Sequence, residues 1–220
     1  MEKSKRKINS KKIALIAIFA AIGVVLNIFS SQMPKIPGMG RMSLNYCYCT
    51  LVGVLLGPWI GGITAAVADL FPALVLPEGG QVWMPLITVS NGVMAIISGL
   101  CVKKLPLKSM FLKLFCAAFV SFVVCTLGFT AAGETLLYCY FGSAPFYPTV
   151  TGLVNEGGMQ VYPAFVVYKA MTQPFWIAAN LAVSFAILGN KAMQKYLKKE
   201  GILPAMPEKS AGEGEAAAEV

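Results

Sequence analysis

Residues 41–100 read RMSLNYCYCTLVGVLLGPWIGGITAAVADLFPALVLPEGGQVWMPLITVSNGVMAIISGL, and this stretch decides the fold. It consists of three apolar runs, separated by a Gly57-Pro58 turn and by a Pro/Gly-rich break at residues 77–80. One carboxylate, Asp69, lies inside the second run. A charge at membrane depth costs roughly 2.5–3.5 kcal/mol and usually faces a cavity or a partner. The stretch therefore predicts a pocket between membrane helices.

The composition of the whole chain is that of an integral membrane protein. Of its 220 residues 57% are hydrophobic and 13% are charged, whereas a soluble domain carries about 25% charged residues. Long unbroken apolar runs favour helices over the alternating pattern of a membrane β-barrel. The prediction is an all-α bundle of six transmembrane helices, at about 13–31, 43–56, 59–76, 86–102, 110–132 and 162–188.

The basic residues predict how this bundle is oriented. Of the 18 Lys and Arg residues, all except Lys35, Arg41 and Lys169 fall in segments that would lie on one side of six spans. An excess of Lys and Arg marks the cytoplasmic side, so both termini are predicted to be cytoplasmic. The chain then divides into a basic tail (1–12), a six-helix membrane domain that binds substrate (13–190), and a basic, then disordered cytoplasmic tail (191–220). This asymmetry explains the net charge of +8 without nucleic-acid binding.

Several function classes are excluded or disfavoured by missing residues. The chain has no histidine, which removes the HExxH metalloprotease, the Ser-His-Asp triad and His-ligated metals. It has no GxxxxGK[ST] phosphate loop, so ATP hydrolysis by that route is excluded. An intramembrane enzyme would need a base and a nucleophile at membrane depth, and no paired aspartates of the GxGD type are present. We therefore expect neither enzymatic activity nor a cofactor.

The predicted outer half of the bundle collects polar and aromatic residues that suit an acidic ring compound. Aromatic faces hold a flat ring, and basic side chains attract carboxylates. Two alternatives stay open at this point: the aromatics could simply lie at the membrane interface, and Asp69 could pair with Lys169. The candidate substrate-binding residues are Arg41, Asn45, Tyr46, Asp69, Trp83, Asn91, Lys169 and Gln173.

The first predicted span carries a face of small residues. Ala17 and Ala21 are four residues apart and so lie on the same side of a helix. Small residues allow a second helix to approach closely. That second helix could belong to this bundle or to another subunit.

Residues 13–190 resemble the substrate-binding S component of an energy-coupling factor (ECF) vitamin transporter. The resemblance lies in the six short spans, the basic N-terminus, the Ala17-xxx-Ala21 face and the LLGPWIGG turn followed by Asp69. Within this group the chain is most similar to the folate branch. The motifs that carry this likeness are Arg41-Met-Ser-Leu, Leu56-Gly-Pro-x-x-Gly61, Asp69-Leu, Pro77-x-Gly79 and Trp83-x-Pro85-x-x-Thr88.

The resemblance implies a subunit of an ABC-type importer in the bacterial plasma membrane. Such a subunit captures a vitamin, here folate, from outside. It docks through the alanine face of its first helix onto a membrane coupling subunit that two cytoplasmic ATPases drive, and it topples in the lipid bilayer to release the vitamin. The alternatives are an S component for pantothenate, riboflavin or thiamine, and a secondary transporter, for which internal inverted repeats would be expected.

Overall fold

The structure is a computed structural model that describes residues 10–32, 35–36, 40–41, 43–75, 84–107, 109–141 and 148–199. These residues are helical apart from turns and one small antiparallel hairpin, in which β1 (Lys35–Ile36) pairs with β2 (Gly40–Arg41). The helices are α1 (Ser10–Gln32), α2 (Asn45–Leu55), α3 (Pro58–Val75), α4 (Pro85–Lys104), α5 (Met110–Ser121), α6 (Ala131–Phe141), α7 (Pro148–Asn155), α8 (Val161–Leu188) and α9 (Lys191–Lys199).

Four described stretches are long and apolar enough to cross a membrane: Ile13–Ser30, Pro85–Lys104, Met110–Tyr140 and Val161–Leu188. α2 is apolar but shorter, with 11 residues. The structure thus has the helical membrane architecture that the composition predicted. Six spans with cytoplasmic termini, and the division of the chain at residues 12 and 190, stay predictions.

The centre of the bundle is a three-helix unit of α2, α3 and α4 whose backbones lie in close contact. A Cβ atom added at Gly53 of α2 would overlap the backbone of Ala95 in α4, and one at Gly62 of α3 would lie 2.7 Å from the Ile96 side chain. The chain passes from α2 to α3 through Gly57, whose φ of 88° is a conformation that favours glycine. The turn is tight because the two helices it joins are packed against each other.

The fifth predicted span is longer than expected and is not α-helical throughout. α5 continues through a π-helical segment, Phe122–Thr130, into α6, so that one helical rod extends from Met110 to Phe141 rather than ending near residue 132. π-Helical turns are rare and occur frequently at functional sites. In this rod the π segment lies between α5, which follows the lysine-rich α4–α5 connection, and α6, which carries Glu134.

Two shorter helices were not predicted from the sequence. α7 lies within the predicted outer loop, and its Val150 is buried against Ala164 and Phe165 of α8. α9 follows α8 directly and packs Leu197, which is fully buried, against the end of the bundle. The residues of both tails at 1–9 and 200–220 lie outside the described part of the chain.

Candidate substrate site

Asp69 is the centre of a hydrogen-bonded cluster that joins three helices. Its Oδ1 accepts hydrogen bonds from Asn27 Nδ2 of α1 at 3.1 Å and from Asn91 Nδ2 of α4 at 2.9 Å. Its Oδ2 accepts one from Thr88 Oγ1 at 2.6 Å. An ionised carboxylate has about four acceptor positions, and these three donors, counted among the described residues, leave one of them for a further donor. The carboxylate is half-buried, so a ligand can share it with the protein.

The cluster extends from Asp69 into α2 through two amides. Asn45 Nδ2 donates to Asn91 Oδ1 at 2.6 Å, and Asn45 Oδ1 lies 3.6 Å from Cys49 Sγ. Each amide therefore has a defined orientation, because its NH₂ group donates to the next acceptor in this series of hydrogen bonds. The structure brings three of the predicted site residues, Asn45, Asp69 and Asn91, into one network.

Tyr46 lies in the same region, but its side chain points to the helical rod that extends from Met110 to Phe141. Its hydroxyl is hydrogen-bonded to Thr126 Oγ1 in the π segment. On the neighbouring face of α4, Ser90 Oγ donates to the carbonyl of Cys125 at 3.2 Å and lies 3.2 Å from Thr130 Oγ1. The π segment is thus held by hydroxyl groups from α2 and α4, and it forms one side of the polar cluster.

Lys169 does not pair with Asp69. Its Nζ lies 2.7 Å from Glu134 Oε1 of α6, and both side chains are buried. The sequence alternative of an Asp69–Lys169 pair is therefore wrong: the two charges have different partners on different helices. The ammonium group of Lys169 is already neutralised by a carboxylate of the same chain.

The structure gives less detail about the other predicted site residues. Gln173 is half-buried on α8, one turn after Lys169. Of Arg41 only the backbone, in strand β2, is described, and Trp83 lies outside the described residues. Their contribution to a substrate site stays a prediction.

Four residues at or near this site were not among the sequence candidates: Asn27, Thr88, Glu134 and Asn180. Each interrupts or borders an apolar run, and this is the signal that singled out Asp69 and Lys169. Applied evenly to uncharged amides and hydroxyls, the same criterion would have found Asn27 and Asn180. Glu134 was placed beyond the end of its span because the apolar run weakens at Gly133.

The predicted docking face on α1 is open in the structure. Ala17 and Ala21 are both exposed, and only 6% of the Ile13–Ser30 stretch is buried within the chain. Ile18 and Val25, which are 55% and 64% exposed, extend this apolar surface. Of the two readings of the alanine spacing, packing inside this bundle does not occur at these positions in the structure.

Comparison with known proteins identifies the chain's relatives. Residues 7–173 match the family model described as the ECF-type riboflavin transporter S component. The chain belongs to this family of S components. No curated protein matches it. Among solved structures, the S component resembles the crystal structure of FolT bound with folic acid, with a TM-score of 0.57 and 18% sequence identity over 81% of this chain and 93% of that one. At that identity the likeness concerns the fold.

Membership of this family makes the chain a membrane transport component for a vitamin, a role that requires no catalytic residues of its own. The recognition from sequence motifs is thereby confirmed at the level of the S component. The vitamin, the coupling subunit and the ATPases belong to the proposal that follows.

Proposed function

We propose that the chain is the substrate-capture subunit of an ECF importer in the bacterial plasma membrane and that it binds folate around Asp69. The observation that carries this proposal is the half-buried Asp69 carboxylate, which is oriented by three protein donors and keeps acceptor capacity for a fourth. A pterin ring presents adjacent N–H donors, which a carboxylate can accept. Asn45 and Asn91 lie beside it to bind the ring's other polar atoms.

The charges of the described residues indicate how folate would lie. Lys169 is neutralised by Glu134, so it is a poor partner for the carboxylates of a ligand. Arg41, in the hairpin that precedes α2, is the better candidate because a guanidinium can bind a carboxylate through two parallel hydrogen bonds. We therefore place the ring near Asp69 and Tyr46, and the acidic tail toward the hairpin.

Riboflavin is the second candidate, and two observations favour it. The family model that matches residues 7–173 carries its name. Its ring system is uncharged, which agrees with the pairing of Lys169 to Glu134. Its imide N–H lies between two carbonyls, a pattern that an amide such as Asn45 or Asn91 matches as well as a carboxylate does.

Calorimetric titration of the purified protein distinguishes these ligands. Folate, riboflavin, pantothenate and thiamine should each be titrated under the same conditions, with tight binding expected for folate alone. Glu156→Gln, which removes an exposed carboxylate remote from Asp69 in sequence, serves as the control variant and should bind like the unmodified chain. Tight binding of riboflavin without binding of folate would replace the first candidate by the second. Binding of none of the four would contradict the capture function.

The proposed partners are a membrane coupling subunit and two cytoplasmic ATPases, reached through the face around Ala17 and Ala21. The support for this part is the exposure of both alanines on a helix that the bundle leaves largely uncovered. A secondary transporter would instead move substrate without any of these subunits. Vitamin uptake into vesicles that contain this chain alone would favour that alternative, and uptake that requires added ATPases and ATP would exclude it.

A further inference from the structure

Asn180 is a buried amide of α8 that uses its side chain to hold the beginning of α2. It is 2% exposed. Its Oδ1 accepts a hydrogen bond from the backbone N–H of Cys47 at 3.0 Å. Its Nδ2 donates to the carbonyl of Ser43 at 2.9 Å and to the carbonyl of Trp176 at 2.8 Å. Two of these three bonds cross between segments more than 130 residues apart in sequence.

The first turn of α2 needs such a partner. The first N–H groups of a helix have no acceptor within the helix, and the residue at the N-cap, Leu44, has no side chain that can accept a bond. The Asn45 N–H is satisfied by Ser43 Oγ at 3.2 Å. The Cys47 N–H, two residues further on, is satisfied by Asn180. A side chain of α8 thus takes the place of a local cap.

The residues at this turn are those assigned to the substrate. Asn45 donates to Asn91, which donates to Asp69, and Tyr46 bonds to Thr126. The Ser43 carbonyl, two residues after strand β2, is where the hairpin segment that carries Arg41 joins α2. Asn180 therefore holds the beginning of α2 at two points, at Cys47 beside the amide cluster and at Ser43, two residues after strand β2.

We propose that Asn180 is a positioning residue for substrate capture, an inference that rests on the proposed function. It fixes the first turn of α2 and the end of the hairpin segment against α8, and by doing so sets the positions of Asn45, Tyr46 and the Arg41 backbone. It acts through these residues and does not itself bind the ligand.

Two substitutions distinguish the role of the bond to Cys47 from that of the bond to Ser43. Asn180→Leu keeps a similar side-chain size but removes both the acceptor and the donors. Asn180→Asp keeps an acceptor for the Cys47 N–H, favoured by the positive end of the α2 dipole, but loses the donors to the Ser43 and Trp176 carbonyls. Thr172→Val is the matched control, since Thr172 is also buried on α8 and its hydroxyl donates to the Tyr168 carbonyl within the same helix, at 2.9 Å.

Hydrogen–deuterium exchange of the peptide that contains Cys47 and calorimetric vitamin affinity should be measured on each full-length variant. A net hydrogen bond is worth about 1 kcal/mol, or roughly fivefold in an equilibrium constant. Asn180→Leu should therefore speed exchange at this turn by about fivefold and weaken binding by about fivefold or more. Asn180→Asp should leave exchange near that of the unmodified protein and still weaken binding, by roughly fivefold for the lost bond to the Ser43 carbonyl, because its other lost bond, to the Trp176 carbonyl, lies within α8. Thr172→Val should change neither quantity.

Unchanged exchange in Asn180→Leu would overturn the capping role. Faster exchange with unaltered affinity in that variant would overturn the positioning role. If Asn180→Leu does not fold, Asn180→Asp decides the matter, because unchanged affinity in that variant contradicts the hold on Ser43. Exchange is measured without ligand, so an unmodified chain that binds no vitamin would contradict the capture function and leave the test of the α2 cap intact.

Discussion

Lys169 Nζ and Glu134 Oε1 lie 2.7 Å apart in a pair whose side chains are both 7% exposed. The pair joins α8 to α6. Breaking a buried pair leaves an uncompensated charge, whereas replacing both partners by apolar residues is often neutral. The pair thus contributes to the structure of the bundle, and a ligand carboxylate would have to compete with Glu134 for the lysine.

Single substitutions of this pair should destabilise the protein more than the double substitution does. Lys169→Met and Glu134→Leu each leave the other partner as an uncompensated buried charge, so each should lower the free energy of unfolding by about 3–5 kcal/mol. The double variant Lys169→Met/Glu134→Leu should recover most of that loss. Thermal unfolding in detergent measures this, with Lys195→Met, on an exposed position of α9, as the control. A double variant as unstable as either single one would contradict the pairing.

Asp69→Asn should weaken vitamin binding while the protein stays folded. The substitution removes the charge and turns an NH₂ group toward at least one of the three donors, which costs about 1.5–3 kcal/mol for a hydrogen bond to a charged group. We expect affinity to fall by about ten- to a hundredfold. Thr88→Ser, which keeps the donor to Oδ2, should bind normally, whereas Thr88→Val should not. Normal binding by Asp69→Asn would make the cluster purely structural.

The exposed face of α1 predicts a separation of binding from coupling. Ala17→Trp and Ala21→Trp add bulk outside the bundle, so both variants should fold and bind vitamin normally. They should fail to assemble with the coupling subunit and should lose transport. Ala178→Trp, at an exposed alanine of α8, should behave like the unmodified protein. Equal loss of vitamin binding in the α1 variants would instead indicate that this face serves the substrate site.

The topology can be tested with cysteines at two exposed positions. In a background with the exposed Cys139 replaced by Ser, Lys104→Cys should be labelled only from the cytoplasmic side. Thr149→Cys, at the start of α7, should be labelled only from outside by a membrane-impermeant reagent. This follows from the excess of Lys and Arg at the α4–α5 connection. Labelling of both sites from the same side would contradict six spans with cytoplasmic termini.

The contact between α2 and α4 predicts a position-specific cost for alanine. Gly53→Ala should lower stability, because the added Cβ would overlap the Ala95 backbone and the helices must separate. Overpacking of this kind typically costs about 1–3 kcal/mol. Gly152→Ala, where a Cβ meets nothing within 4 Å, should be neutral or slightly stabilising. Equal unfolding temperatures for the two variants would show that α2 and α4 are not packed this closely.

The sequence predicted the helical membrane class, the family and most positions of the long helices, because each depends on composition or on local pattern. It also singled out Asp69 and Lys169, since a charge in an apolar run stands out. It did not predict their partners correctly. Whether Lys169 meets Asp69 or Glu134 depends on the rotation and depth of each helix, which are set by packing with other helices and leave no periodic signal.

Two further elements, the π segment and α9, could not be predicted from local sequence patterns. The π segment reads FVVCTLGFT, and its mostly apolar residues carry no period by which a π-helix differs from an α-helix. α9 was read as a basic tail because lysines dominate it, yet Met193 and Leu197 are four residues apart and pack on the end of the bundle. In both cases the deciding contacts come from distant parts of the chain.

The close backbone contacts among α2, α3 and α4 restrict how this molecule can move. Side chains that interdigitate can change rotamer and let helices slide, but backbones in direct contact at Gly53, Gly61 and Gly99 have no such freedom. We therefore expect the three helices to move as one rigid block, and any opening that admits or releases a ligand to take place at its borders with α1, the π segment and α8.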